Sequence, residues 1–427
     1  MKFHVRQNEI QNALNIIKSS RALGKPDEEL FSTIKIEAFK EGDKNRIRFT
    51  ATTTIAWASA SITEEYFEDL FGDDNYKEIF DVEEYSTVYV DGHTLINVIN
   101  GYPDNTILHF DVNKKKKGDD EISNLVCECS RNNKREKKKS TFLIKIPSFF
   151  QESPPDEDRE EISLPAREFV DSVMAVEFAS STDDKEREFW GVFIEIYGAE
   201  VAACATDKQR ICWYDKEGLA RDTGGGCFKL TPIKPMLVAA IKGLNPKKEL
   251  TIQKGEKFTI LKQDDRWHSI PNIIKTSQNN DDDDFDWRGI SRDIHDAMEV
   301  SIRIPRKTLK ECAKLATSAG GGDFGIRIHF DTNNKNAHFT VEKIEGGGIS
   351  CSHEEEIVLE DNQFDGEIDE TIILGIGSIS EIASRYNCDQ IIFRIKDNDK
   401  PIEMISEKDH FRFITGTITP PGSDFDQ

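Results

Sequence analysis

The stretch "ACATDKQRICWY", Ala203 to Tyr214, places Asp207 and Arg210 beside Thr206 between two apolar runs. A carboxylate and a guanidinium at this spacing suit proton transfer only where a partner base and a substrate pocket complete the set. The sequence offers neither, so two readings stand: a nucleic-acid-processing enzyme acting through this turn, or a turn between strands whose polar edge a partner reads. Eight cysteines lie at 127, 129, 204, 212, 227, 312, 351 and 388. Only Cys127 and Cys129 are close, on one face of a strand, and a metal centre needs a second ligand pair at comparable spacing. No metal and no cofactor is expected, and the thiols read as reduced, small core hydrophobes. "GGGDFG" lacks the other kinase signatures, and Gly224–Gly226 and Gly346–Gly348 lack the Lys-Ser/Thr of a phosphate loop. "DDDDFDW" reads as a solvated linker, because a Mg²⁺ site needs a preorganised cage.

The elements that position these residues follow from periodicity. "FHVRQNEI" (3–10), "ISLPAREF" (162–169) and "IRIPRKTL" (302–309) share one apolar pattern and run into helix-period sequence, followed by the alternating strands "STIKIEAF", "GVFIEIYG" and "FGIRIHFD". The unit recurs half a domain later, in "VYVDGHTLINVING", "FKLTPIKPMLVAAIKGL" and "IILGIGSISEIASRY". Three domains of two half-repeats each are implied, at 1–150, 160–276 and 298–420, with boundaries at the acidic and proline-rich stretch 148–161 and around 276–289. The expected class is α+β, with helices packed on one face of antiparallel sheets. A chain of 427 residues accommodates this. Its net charge of -23 excludes a wholly nucleic-acid-binding exterior but leaves room for a local basic face. The start lacks the pattern of a secretory signal and no apolar run reaches membrane-spanning length, which places the chain in the cytoplasm with no membrane partner.

The words "LGKP", "DGHTLINVI", "FLIKIPSF", "ISLPAREFVDSVMAVEFASS", "ATDKQRI" and the closing "FRFITGTITP", in this order along three repeats, resemble the bacterial-type DNA polymerase β sliding clamp family. The resemblance implies three tandem DNA-clamp domains and a head-to-tail homodimer closing a ring around double-stranded DNA. Such a ring has no chemical step. Its partners would be duplex DNA bound without regard to sequence, the replicative DNA polymerase and an ATP-dependent clamp loader. A protein of the same fold that never closes a ring is the alternative.

On that resemblance the inner helices carry cations. Lys307, Lys310 and Lys314 recur at i, i+3 and i+7 with Arg306 beside them. Lys18, Arg21, Lys25, Arg167, Arg187, Lys234, Lys242 and Arg385 are the remaining DNA-contact candidates, Lys25 by its place in "LGKP". The lysine-rich runs "NKKKKGDD" and "RNNKREKKKS" read as long hairpin loops. The "ATDKQRI" turn would form one wall of a pocket for a client's short apolar motif, lined by Thr206, Lys208, Gln209, Arg210 and Ile211 with Phe189 before them. Lys208 and Gln209 replace the family's Gly-His, and Pro271, Ile414 and Ile418 are candidates for the other wall. At the ring interface, Thr317 and Ser318 stand where aliphatic residues are usual, opposite an edge carrying Phe142 and Ile144.

Overall fold

The computed structural model describes residues 1–18, 33–53, 56–72, 76–117, 120–130, 137–144, 147, 150–183, 185–218, 227–273, 285–319, 324–331, 336–343, 354–358, 364–365, 371–396, 401–406 and 408–416. They fall into two compact units, Met1–Val170 with Pro232–Ile273, and Asp171–Thr231 with Ile274–Gln427. The residues of the expected middle domain contribute to both. Every strand pairing is antiparallel among the described residues.

The repeated passage from strand into helix is present at all six expected places. Lys2–Arg6 enters α1 (Gln7–Ile17), and α2 (Glu64–Phe71) follows Trp57–Thr63 as an addition. Ser86–Asp91 enters α3 (Gly92–Asn100), Glu160–Pro165 enters α4 (Ala166–Val176), and Phe228–Leu230 precedes α5 (Lys234–Ile241). After α6 (Trp287–Asp296), Val300–Pro305 enters α7 (Arg306–Ala319) and Thr371–Gly375 enters α8 (Ile376–Arg385). The helices form where apolar side chains recur every three or four residues: α1 buries Ile10, Ala13, Leu14 and Ile17, and α7 buries Leu309, Cys312 and Ala313. Asp91 stops its strand by capping α3, its carboxylate accepting from the Thr94 amide at 2.7 Å.

In the first unit an eight-stranded sheet runs from Glu160–Pro165 at one edge to Ser86–Asp91 at the other. At its middle, Arg266–Pro271 pairs with Trp57–Thr63, joining strands more than two hundred positions apart in sequence. Arg46 reinforces that seam, its guanidinium donating to Asp265 at 2.7 Å. A five-stranded sheet beside it ends on Lys137–Leu143. Of the lysines read from sequence as loop residues, those at 114–117 and 137–139 extend strands instead, and Lys139 donates to Glu128 on the neighbouring strand at 2.7 Å; residues 118–119 and 131–136 of those runs lie outside the described residues. That cross-strand ion pair supports the longer strand.

In the second unit a nine-stranded sheet is joined the same way, Arg210–Tyr214 pairing with Phe411–Thr415. A four-stranded sheet ends on Glu354–Val358. No described helix is long and apolar enough to cross a membrane.

His268, on the joining strand of the first unit, is 3% exposed, and burial pushes its pKa down from 6.5 to about 4. The neutral ring is therefore the folded form, and its contribution to stability is complete above pH 6.5 and is lost as pH falls toward 4. Stability lost to this residue reaches about 3 kcal/mol. Denaturant titrations between pH 7 and 4.5 should show this fall in the natural chain and a flatter profile in His268→Leu. An unchanged profile would remove His268 as the cause.

Candidate docking surface and cationic helix face

The stretch Thr206 to Arg210 is a turn whose polar groups are spent on the turn itself. The Asp207 carboxylate accepts from the amides of Gln209 and Arg210 at 3.2 and 3.0 Å and from the Arg210 side chain at 2.7 Å. The Thr206 hydroxyl donates to the Arg210 carbonyl at 2.7 Å and accepts from the Lys208 amide at 3.2 Å. Asp207 is thus an Asx-turn residue, with no base or substrate pocket joined to it among the described residues. Lys208 has φ of 70°, a left-handed conformation that disfavours a side chain. Its ammonium lies 5.2 Å above the Phe189 ring and 3.3 Å from Glu188, contacts that offset part of that cost.

Beyond the turn, alternation sends Ile211 and Trp213 to one face of the nine-stranded sheet and Cys212 to the other, where its thiol lies 3.8 Å from the Ala175 carbonyl of α4. Ile211 faces Ile414 on the neighbouring strand. With Ala202 and Cys204 these residues make an apolar shelf, and it is covered by α6. Trp287 is 2% exposed, its ring 5.9 Å from that of Trp213. Phe285 sits 5.9 Å from Phe189 and 4.8 Å from Phe193. Read from sequence as a solvated linker, the Phe-Asp-Trp end of "DDDDFDW" is packed apolar structure. The preceding acidic residues, 281–284, lie outside the described residues.

Two polar anchors hold α6. Arg288 is 5% exposed and forks to Glu195 at 2.8 Å and Asp215 at 2.7 Å. These carboxylates hold its pKa above the ordinary value against the opposing effect of burial. At the far end His295 meets the buried Glu403 carboxylate at 2.8 Å, which also accepts from Arg394 at 2.9 Å. Sequence reasoning passed over Phe285, Trp287 and Arg288. The available signal was two aromatics two residues apart ahead of an arginine.

The other pocket candidates divide. Phe189, Thr206, Lys208, Gln209, Arg210, Ile211 and Ile414 all belong to the second unit, whereas Pro271 ends a strand of the first, opposite Phe258. Ile418 lies outside the described residues. Arg210 is turned inward, its guanidinium 3.3 Å from the Phe178 carbonyl.

Among the cations, Lys307, Lys310 and Lys314 are exposed along α7, on the side away from its buried Leu309 and Ala313. Lys307 is 85% exposed, with Glu311 3.7 Å away. Arg306 donates to the Tyr386 carbonyl. Arg385 donates to the Met174 carbonyl and to Glu177 and Glu381, the last two at 3.2 Å, over the Phe178 ring, so its guanidinium is engaged within the fold. Lys18, Arg167, Arg187 and Lys242 are exposed and Lys234 is half-buried. Arg21 and Lys25 lie outside the described residues.

On the edge strand Lys137–Leu143, Phe142 is 4% exposed and packs into the first unit's core with Ile144 behind it. The exposed apolar side chain there is Leu143, at 56%. Thr317 and Ser318 turn their hydroxyls back to the Ala313 and Lys314 carbonyls, both at 2.8 Å. Cys127 and Cys129 are buried on one face of their strand, and burial pushes the Cys127 thiol up to about 12, as suits a packed, unreactive thiol.

No protein-family model matches the sequence, and no curated protein matches it. In structure the chain is similar over 98% of its length to DNA polymerase III subunit beta from Pseudomonas aeruginosa, covering 100% of that chain with a TM-score of 0.71 at 12% identity. It is similar over the same share to the DNA polymerase III beta subunit of Thermotoga maritima, with 99% of that chain covered, a TM-score of 0.72 and 15% identity. The beta sliding clamp of Caulobacter crescentus gives 0.73 at 16% identity, with 98% and 99% of the two chains covered. The chain therefore has the fold of these β subunits, and the expected α+β class of helices on antiparallel sheets holds, with α6 added on a face of the nine-stranded sheet.

Because Asp207 shapes a turn, Asp207→Ala should destabilise the second unit by roughly 2 kcal/mol as its hydrogen bonds are removed. Hydrogen exchange confined to Glu200–Tyr214 would report it. Turnover on a nucleic-acid substrate that vanishes in this variant would instead revive the catalytic reading.

Proposed function

We propose that this chain is a DNA sliding clamp: a non-enzymatic processivity factor that closes as a head-to-tail homodimer around duplex DNA. In this reading an ATP-dependent loader opens the ring, and the replicative polymerase and other clients dock by short apolar motifs beside the Thr206–Ile211 turn. The tethered polymerase then works at high effective concentration on its template. All of this takes place in the cytoplasm.

The observation that carries the proposal is the exposed lysine row of α7 in a chain whose net charge is -23. Cations collected on one helix of an acidic protein give a local, sequence-blind attraction for phosphates while the exterior stays soluble. The whole-length likeness of fold supports it. So do the sheet edges, because Lys137, Lys138 and Lys139 lie on the edge strand of the first unit and Glu354, Glu355 and Glu356 on that of the second. An unpaired edge is a template for another strand. A basic edge meeting an acidic edge on a second copy gives a heterologous contact, which a closing rotation turns into a ring.

The polar Thr317 and Ser318 favour a dimer that opens easily, with Leu143 and the 42% exposed Leu315 as its apolar contacts. Sedimentation at low micromolar concentration should show monomer rising with salt. A dimer indifferent to salt would remove the charged-edge account.

The defining test is retention on nicked circular DNA and release when that DNA is cut to a linear form. Retention unaffected by cutting would sink the ring. In the same assay, replacing Lys307, Lys310 and Lys314 by Ala should weaken DNA association and lower the salt slope by about 0.9 for each phosphate no longer neutralised.

A further inference from the structure

The apolar shelf of Ile211, Trp213 and Ile414 adjoins the turn assigned above to clients, and it is already filled. We propose that Phe285–Asp296 is a tethered occupant of this docking surface, so that outside peptides reach the shelf only in competition with the chain's own segment. This inference rests on the docking reading of the turn and adds to it both the resident and the chemistry of what can replace it.

The segment is seated as a ligand would be. Trp287 fills the shelf and Phe285 the aromatic corner beside Phe189, while Arg288 reaches between Glu195 and Asp215. A helix of ten residues does not persist alone in water, so α6 is ordered by its seat. The fit is incomplete, because Trp213 Nε1 and Ser291 Oγ are buried without a hydrogen-bond partner among the described residues. A buried polar group left without a partner weakens the seat that holds it. Release of the whole segment hydrates Arg288 and its two carboxylates together, unlike removal of one partner, which would leave a charge buried. The vacated surface would offer an apolar shelf flanked by carboxylates. Its ligand class is therefore a peptide with two spaced aromatics followed by an arginine.

A labelled peptide of residues 285–296 and the full-length chain test this by fluorescence anisotropy. The natural chain should bind it weakly, since the tethered copy competes at an effective concentration of up to millimolar order. The Phe285→Ala/Trp287→Ala chain should bind it at least about ten-fold more tightly, once its own copy is weakened. Equal affinity for both chains, or none for either, overturns the proposal. If the variant does not fold, hydrogen exchange in the natural chain decides. Opening of α6 separately from Glu200–Thr206 and Arg210–Tyr214 supports the proposal, and exchange of all three only together overturns it. DNA retention measured on the same preparations separates the two readings: a ring that fails while peptide competition persists discredits encirclement alone.

Discussion

Half-sheets cannot be left open. Each repeated module of this chain makes a few antiparallel strands whose outermost backbone groups have no partner of their own, and unpaired N–H and C=O groups at an edge either find a partner or invite one. The chain joins Arg266–Pro271 to Trp57–Thr63, and Arg210–Tyr214 to Phe411–Thr415. These two seams turn four half-sheets into two continuous ones. The rest follows: the repeated helices lie on sheets already fixed in register, and the side chains of the turn at Thr206 are aimed by the strand that enters the second seam.

Fixed register explains why the chemistry of that turn is structural. A strand that pairs on both sides needs a short reversal at its start, and Asp207 supplies the acceptors that make one. Its carboxylate is used up in doing so. On the docking reading proposed above, what the turn offers a partner is its shape and, only where α6 gives way, the apolar residues that alternate out of the strand beyond it. Binding by shape and apolar area, with polar groups fixing register, is what a docking surface requires.

Much of the fold was legible in sequence because period carries it. Strand alternation followed by helical spacing recurs six times, and each recurrence became a strand entering or preceding a helix. The lysine face of α7 was legible for the same reason, since i, i+3 and i+7 settle which side a residue takes once Leu309 and Ala313 are buried. The failures have a common cause. Phe142 and Leu143 are neighbours, and only the side on which the core lies decides which is exposed; the sequence alternates but does not say which way is in. The lysines at 114–117 and 137–139 looked like loop residues because their charge outweighed the strand pairing that a neighbour distant in sequence supplies. Phe285 and Trp287 were hidden in an acidic run, where local composition masked packing against residues far away in sequence.

Arg288 and its partners Glu195 and Asp215 come from three distant parts of the chain. In a lineage, no one of them can be exchanged alone without stranding a charge under a helix, at a cost of roughly 3–5 kcal/mol, a large share of a domain's whole margin. Descent through single steps is therefore obstructed at these positions, and the three should be inherited as a unit or disappear as a unit. A stretch that composition alone would mark as free to drift is thereby held by two carboxylates encoded far upstream of it.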